Sequence, residues 1–279
     1  MLTKLAYRLA QTIKCEVELV KYHAQPTIPV RYFSDVKNWG DLLNIDVIEY
    51  MTQKKVIHCA MGHRLHILGI GSVLAAANSK SVVWGSGFIS EQQQLQQKPH
   101  RICSVRGPLT RAKLLEQGVH CPKVFGDPAL LLPEIYPLKP PAKTKYRLGL
   151  IPHYEHANHP WITSALNNEG VTLIDIQQSD SPTFIRQLLE CDCIASSSLH
   201  GLIASDAYNI PNCRLIFNEM RSFKFDDYYA GVGITDYPSI HMDNDSQLSI
   251  EELLKTSTVK QLDFDVTKLK DAFPRELFS

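Results

Sequence analysis

The sequence predicts an α/β protein built as two Rossmann-like domains facing a cleft. Three observations predict it. Short apolar, β-prone runs alternate with segments of helical periodicity between Ile28 and Phe125. A stretch from Pro133 to Lys145, carrying Pro133, Pro137, Pro140 and Pro141 among lysines, then breaks the pattern as a linker does. The alternation resumes from Arg147 to Ile216. The domains expected are residues 1–138 and 139–279.

In the first half, Ile28–Phe33 reads as a strand and Asp41–Met51 as a helix whose buried side is Leu42, Leu43, Ile45, Val47 and Ile48. His66–Ile70 reads as a strand, followed by a small-residue helix over Ser72–Ala77. Ser81–Trp84 and Ile102–Arg106 read as two more strands. Pro108 is placed to open a helix that runs to Gln117 and stops at Gly118. Val124–Phe125 reads as a last short strand before a Gly-Asp-Pro turn.

In the second half, strands are expected at Arg147–Ile151, Val171–Ile176, Cys193–Ala195 and Cys213–Ile216. Helices are expected at Pro160–Asn168, Ser181–Glu190 and Leu199–Tyr208. Ligands of such folds gather at the carboxyl ends of strands, so the loops after each strand carry the chemistry.

Bulk properties exclude several classes. The 279 residues carry 29 basic and 29 acidic side chains, so no net field favours nucleic acid, and anion recognition must be local. Met1–Lys14 lacks the apolar core of a secretory leader, no run approaches a membrane span, and the seven cysteines are scattered. A cytoplasmic chain with free thiols is the expectation. Leu2, Leu5, Leu9 and Ile13 repeat at helical spacing among Lys4, Arg8 and Lys14. That pattern fits a basic helix lying on the cytoplasmic face of a membrane, or a terminal helix packed on its own domain. The glycine motifs of dinucleotide and P-loop sites are absent; Trp84-Gly85-Ser86-Gly87 is a turn rather than a fingerprint.

Five stretches carry candidate chemistry. Ser196, Ser197 and Ser198 stand where a strand becomes a helix, and His200 falls in that helix's first turn. Free N–H groups and the helix dipole favour an anion there, within reach of a titratable imidazole; a simple polar cap is the other reading. Arg106 ends a strand just before Pro108, where a guanidinium grips a carboxylate or phosphate, or pairs with a surface acid. Asn38, Trp39, Asp41 and Asn44 open a helix after the first strand. Asp41 there is a cap or a base for a sugar hydroxyl, and Trp39 and Trp84 are sugar-stacking rings or core. His153, His156 and His159 recur every three residues, but without further ligands at metal spacing no metal is expected; His153 is the one nearest the cleft. Lys224, within Phe223–Tyr229 after the last expected strand, either completes an anion pocket or belongs to a packed, hairpin-like loop.

The segments "NWGDLLN", "VWGSGF", "SVRGPLTR", "GDPALLLP", "IPHYE", "IASSSLHGLIASDAYNIP" and "FKFDDYYAGVG", in this order from Asn38 to Gly233, resemble the polysaccharide pyruvyl transferase family, nearest to the xanthan-type ketal pyruvyl transferases of bacterial exopolysaccharides. The resemblance implies a GT-B-like fold and transfer of pyruvate from phosphoenolpyruvate onto two hydroxyls of one sugar, with release of phosphate. It implies that Arg106 binds the donor and that His200 is the acid/base. Some branches carry arginine where this chain has Ser198, so here serine hydroxyls, helix N–H groups and Lys224 must hold the anion.

The expected site is therefore His200 and Asp41 for catalysis, Arg106, Ser197, Ser198, His153 and Lys224 for the donor, and Asn38, Trp39, Asn44 and Trp84 for the acceptor. The first domain would hold the acceptor, a polyprenyl-diphosphate-linked oligosaccharide in this family, and the second the donor. No cofactor is expected. Two other readings stay open: a GT-B glycosyltransferase using a nucleotide sugar, and a non-catalytic glycan-binding module.

Overall fold

A strand buried along its whole length needs cover on both faces, and parallel sheets with crossover helices provide it. Two such sheets form in the computed structural model, which describes residues 26–217, 222–242 and 248–278 together with Ala10, Ile13, Glu16 and Val17. The first sheet contains β1 (Thr27–Val30), β2 (Lys55–His58), β3 (His66–Leu68), β4 (Ser81–Trp84) and β5 (Arg101–Ser104), in the order β2-β1-β3-β4-β5. The second contains β6 (Tyr146–Ile151), β7 (Val171–Leu173), β8 (Cys191–Ser196), β9 (Asn212–Ile216) and β10 (Ser239–His241), in the order β10-β9-β8-β6-β7. Every pairing within both sheets is parallel. Counted within its own half, each sheet has the same order, with one reversal of direction, between β1 and β3 and between β6 and β8. This is the two-Rossmann, GT-B-like arrangement expected, and the reversals are where such folds bind ligands.

The helices follow the apolar pattern. Helix α1 (Trp39–Thr52) buries Leu43, Val47, Ile48 and Met51, and Asn38 caps it by accepting from Gly40 N at 3.0 Å. Helix α2 (Pro108–Glu116) starts at its proline as expected, and α3 (Leu132–Ile135) is a single turn ahead of the linker. The second half adds α4 (Pro160–Ala165), α5 (Ser181–Leu189), α6 (Leu199–Ala207), α7 (Phe223–Gly231), α8 (Ile250–Thr256) and α9 (Val266–Asp271).

Several expectations need correction. Strands β2 and β10 were not foreseen: both are short edge strands, where half-exposed mixed residues hide the alternation. Ser72–Ala77 is only a 3₁₀ turn at Leu74–Ala76, and of Val124–Phe125 only Phe125 pairs, as a lone bridge to Val105. The aromatic and charged run after β9 is a helix, α7, rather than a hairpin-like loop. The N-terminal pattern of Leu2, Leu5 and Leu9 lies outside the described residues, of which Ile13 is exposed. No described helix is long and apolar enough to cross a membrane.

The halves are joined by more than the linker. One apolar cluster runs from Val30, Trp39 and Trp84 of the first half to Phe184, Leu202 and Tyr228 of the second. The Trp39 indole stacks on Phe184 with centroids 3.7 Å apart, its backbone N–H donates to Ile176 O at 2.7 Å, and its Nε1 donates to Ser181 Oγ at 3.1 Å. The C-terminal segment returns to the first sheet, where Trp84 Nε1 donates to Leu269 O at 2.8 Å and Lys54 Nζ to Phe278 O at 2.7 Å.

Candidate functional site

The serine run is built as a junction. Ser196, at the end of β8, turns its Oγ to Ile151 O at 2.8 Å and accepts from Ser198 N at 3.0 Å, tying the switch-point strands together. Ser197 Oγ accepts from His153 N at 2.9 Å and bonds His156 Nδ1 at 3.0 Å, which anchors the loop after β6. Ser198 is the N-cap of α6, but its side chain makes no capping bond. Its hydroxyl and the free N–H groups of the helix start are left beside a cleft.

That cleft has a volume of about 240 Å³ and lies where the two switch points meet. Phe33 and Asn38 enter from the loop after β1, Ser72 from the loop after β3, His153 and Tyr154 from the loop after β6, and Ser198 and His200 from the β8–α6 junction. Asp41 from α1 and Lys224 from α7 complete it. Of the eleven expected site residues, the structure gathers Asn38, Asp41, His153, Ser198, His200 and Lys224 into this cleft; Ser197 lies behind it, in a small cavity with Arg214 and Phe217.

His200 is packed tightly. A Cβ on Gly40 would lie 2.0 Å from its Nδ1, so only glycine lets the first turn of α1 pass beneath the imidazole. Its Nε2 faces Asp127 Oδ2 at 3.7 Å. Burial pushes the Asp41 carboxyl up from 3.8 to about 6, against the pull of His200 and Lys224. The folded chain thus holds a proton on Asp41 up to about pH 6, whereas the unfolded chain releases it near 4. Stability contributed at low pH is lost as pH rises through this window, and about 3 kcal/mol is missing at pH 7. Asp41→Asn is accordingly expected to raise the thermal midpoint at pH 7 and flatten its pH dependence between pH 4 and 6, as read by calorimetry across that range. An unchanged profile would deny Asp41 its raised proton affinity.

Four expected ligand contacts are structural instead. Arg106 is fully buried and does not reach the cleft. Its Nε donates to Asp227 Oδ2 at 3.1 Å, its Nη2 to Phe88 O at 2.5 Å and its Nη1 to Ser72 Oγ at 2.8 Å, so it touches the cleft only through Ser72. Asp227 also accepts from Thr110 N at 2.8 Å and Thr110 Oγ1 at 2.7 Å, closing a clasp between α7 and the start of α2. A Cβ on Gly107 would sit 1.7 Å from Asp227 O, which explains the glycine between Arg106 and Pro108. Trp39 and Trp84 have no exposed surface and fill the core. Asn44 is sealed as well, donating to Asp41 O and Ile70 O and accepting from Ile70 N, each at 2.9 Å.

The three spaced histidines do separate work: His153 caps a 3₁₀ turn, His156 bonds Ser197, and His159 caps α4. Among the described residues no three His, Cys, Asp or Glu side chains converge as a metal site would require.

Sequence reasoning missed Phe33, Tyr154, Ser72 and Asp127. Phe33 was placed inside a strand that ends at Val30, so its 37% exposure at the cleft was not foreseen. Asp127 had a signal, the Gly-Asp-Pro turn, but a turn aspartate reads as a cap until the fold brings His200 to it.

Residues 53–216, well over half of the chain, match the family model described as polysaccharide pyruvyl transferase. The chain is 28% identical over 217 residues to the uncharacterized protein L143 of Acanthamoeba polyphaga mimivirus, a match covering 74% of this chain and 75% of that protein. It is 28% identical over 222 residues to the succinoglycan biosynthesis protein ExoV of Rhizobium meliloti (strain 1021), covering 75% of this chain and 66% of the relative. With that match, and a cleft framed by the motif segments at both switch points, the chain belongs to the polysaccharide pyruvyl transferase family.

Proposed function

We propose that the protein transfers pyruvate from phosphoenolpyruvate onto two hydroxyls of one sugar in an exopolysaccharide or capsule repeat unit, as a cyclic ketal, with release of phosphate. The observation that carries the reading is the gathering of His200 and Asp41 into one cleft that is also lined by Lys224 and the start of α6. Family membership and the succinoglycan role in the name of the Rhizobium relative support it.

The donor is a polyanion, and Lys224, the Ser198 hydroxyl and the N–H groups of α6 hold it without an arginine at position 198. His200 protonates the methylene carbon of phosphoenolpyruvate, which becomes the methyl group. A sugar hydroxyl adds to the neighbouring carbon as Asp41 takes its proton. Phosphate leaves with the proton that Asp41 took up, and the second hydroxyl closes the ketal while its proton returns to His200. A carboxyl poised at about 6 is ionised often enough at neutral pH to act as that base, and basic enough to be effective. His153 lines the donor side. The acceptor lies against Asn38 in the first half, with the exposed ring of Phe33 as its stacking face in place of the buried tryptophans. A polyprenyl-diphosphate-linked oligosaccharide is the acceptor proposed, met at the cytoplasmic face of the inner membrane.

The test incubates the protein with phosphoenolpyruvate and a panel of lipid-linked oligosaccharides, following phosphate release and reading the product linkage by NMR. An acid-labile pyruvate ketal is expected. An enolpyruvyl ether would sink the reading, and glycosyl transfer from a nucleotide sugar would replace it.

A further inference from the structure

Asp127 stands where the chain leaves the first sheet, as the N-cap of the 3₁₀ turn Pro128–Leu131. It is fully buried. Its Oδ1 accepts from Ala129 N at 3.0 Å, which fixes the plane of the carboxyl group, and its Oδ2 has no hydrogen-bond partner. Facing that oxygen at 3.7 Å is Nε2 of His200, a buried nitrogen that also has no partner. A buried polar atom left unpaired costs about 1–3 kcal/mol, so two such atoms aimed at each other are an unfinished bond rather than a coincidence of packing. The imidazole has little freedom to turn elsewhere, because the first turn of α1 passes directly under its Nδ1 at Gly40.

We propose that Asp127 is the positioning residue of His200: Oδ2 accepts the Nε2–H, holds the ring in that tautomer, and leaves Nδ1 to exchange protons with the ligand. The inference rests on the reading of His200 as the acid of pyruvyl transfer. The gap of 3.7 Å closes by several tenths of an ångström when a ligand seats the ring, as catalytic hydrogen bonds commonly tighten on binding. The other charged groups around the ring are Asp41 from α1, Lys224 from α7, and His153 and Glu155 from the loop after β6. Among the described residues only Asp127 confronts Nε2. Asp127 belongs to the first half and His200 to the second, so the pair exists only while the halves are docked.

Asp127→Asn is the informative variant, because an amide oxygen still caps Ala129 while its NH₂ now faces Nε2 and forces the proton to Nδ1. Nitrogen-15 spectra of the labelled protein, assigned with His200→Ala and recorded where the ring is neutral, read the tautomer without any substrate. The expected result is Nε2–H in the wild type and Nδ1–H in Asp127→Asn. With substrate, kcat of the variant should fall about 10²–10⁴-fold, the whole contribution of a general acid, with little change in the KM for phosphoenolpyruvate. An Nδ1–H ring in the wild type, or a tautomer that ignores the substitution, overturns the proposal. If the tautomers behave as stated but no pyruvyl transfer is found, the positioning role stands and the assigned reaction falls.

Discussion

His200→Ala is expected to lower kcat about 10²–10⁴-fold, the range a single general acid–base group contributes, while the KM for phosphoenolpyruvate moves far less. The reason is differential. In the proposed mechanism Lys224, Ser198 and the start of α6 still hold the donor's charge in the variant, but the group assigned to protonate the methylene carbon is gone. Phosphate release under saturating donor gives kcat, and its dependence on donor concentration gives KM. A variant with normal kcat would take His200 out of the chemistry and restore the simpler reading of the junction as a capped helix.

Asp227→Ala is expected to destabilise the fold by about 3–5 kcal/mol, the cost of leaving one member of a buried ion pair alone. Arg106 has no exposed surface through which water could solvate it, and Thr110 would lose the carboxylate that accepts from both its N–H and its hydroxyl. Urea unfolding measures the loss directly as a lower midpoint. A change below about 1 kcal/mol would mean that water or a neighbouring group replaces the carboxylate, and that the clasp is not what joins α7 to α2.

The sequence was most legible where burial is two-sided. β4 was placed to the residue and β6 and β9 to within one, because covered parallel strands are continuous apolar runs. β2 and β10 were missed because edge strands owe their structure to a neighbour's hydrogen bonds rather than to their own pattern. The site divided along a similar line. His200, Asp41, Ser198 and Lys224, expected at the site, do line the cleft, because polar residues at strand exits and helix starts face the crevice in this architecture. Arg106, Trp39, Trp84 and Asn44 occupy the same kind of position but turn inward. A side chain's direction at a helix start is decided by what the other half presents: Phe184 for Trp39, Asp227 for Arg106. No local pattern encodes that. Asp127 was missed for the complementary reason, since its partner lies 73 positions away in the other half (200 minus 127).

The stack of Trp39 on Phe184 and the Arg106–Asp227 clasp together make the junction of the halves resemble an obligate subunit contact more than a hinge. Two-lobed transferases that swing shut spend part of their ligand's affinity on the swing. A junction packed this closely is expected to do that work once, during folding, and to offer each substrate a cleft of nearly constant width. Turnover should then depend little on solvent viscosity, and selectivity between acceptors becomes a matter of what fits a rigid slot rather than of which glycan can drive a closure.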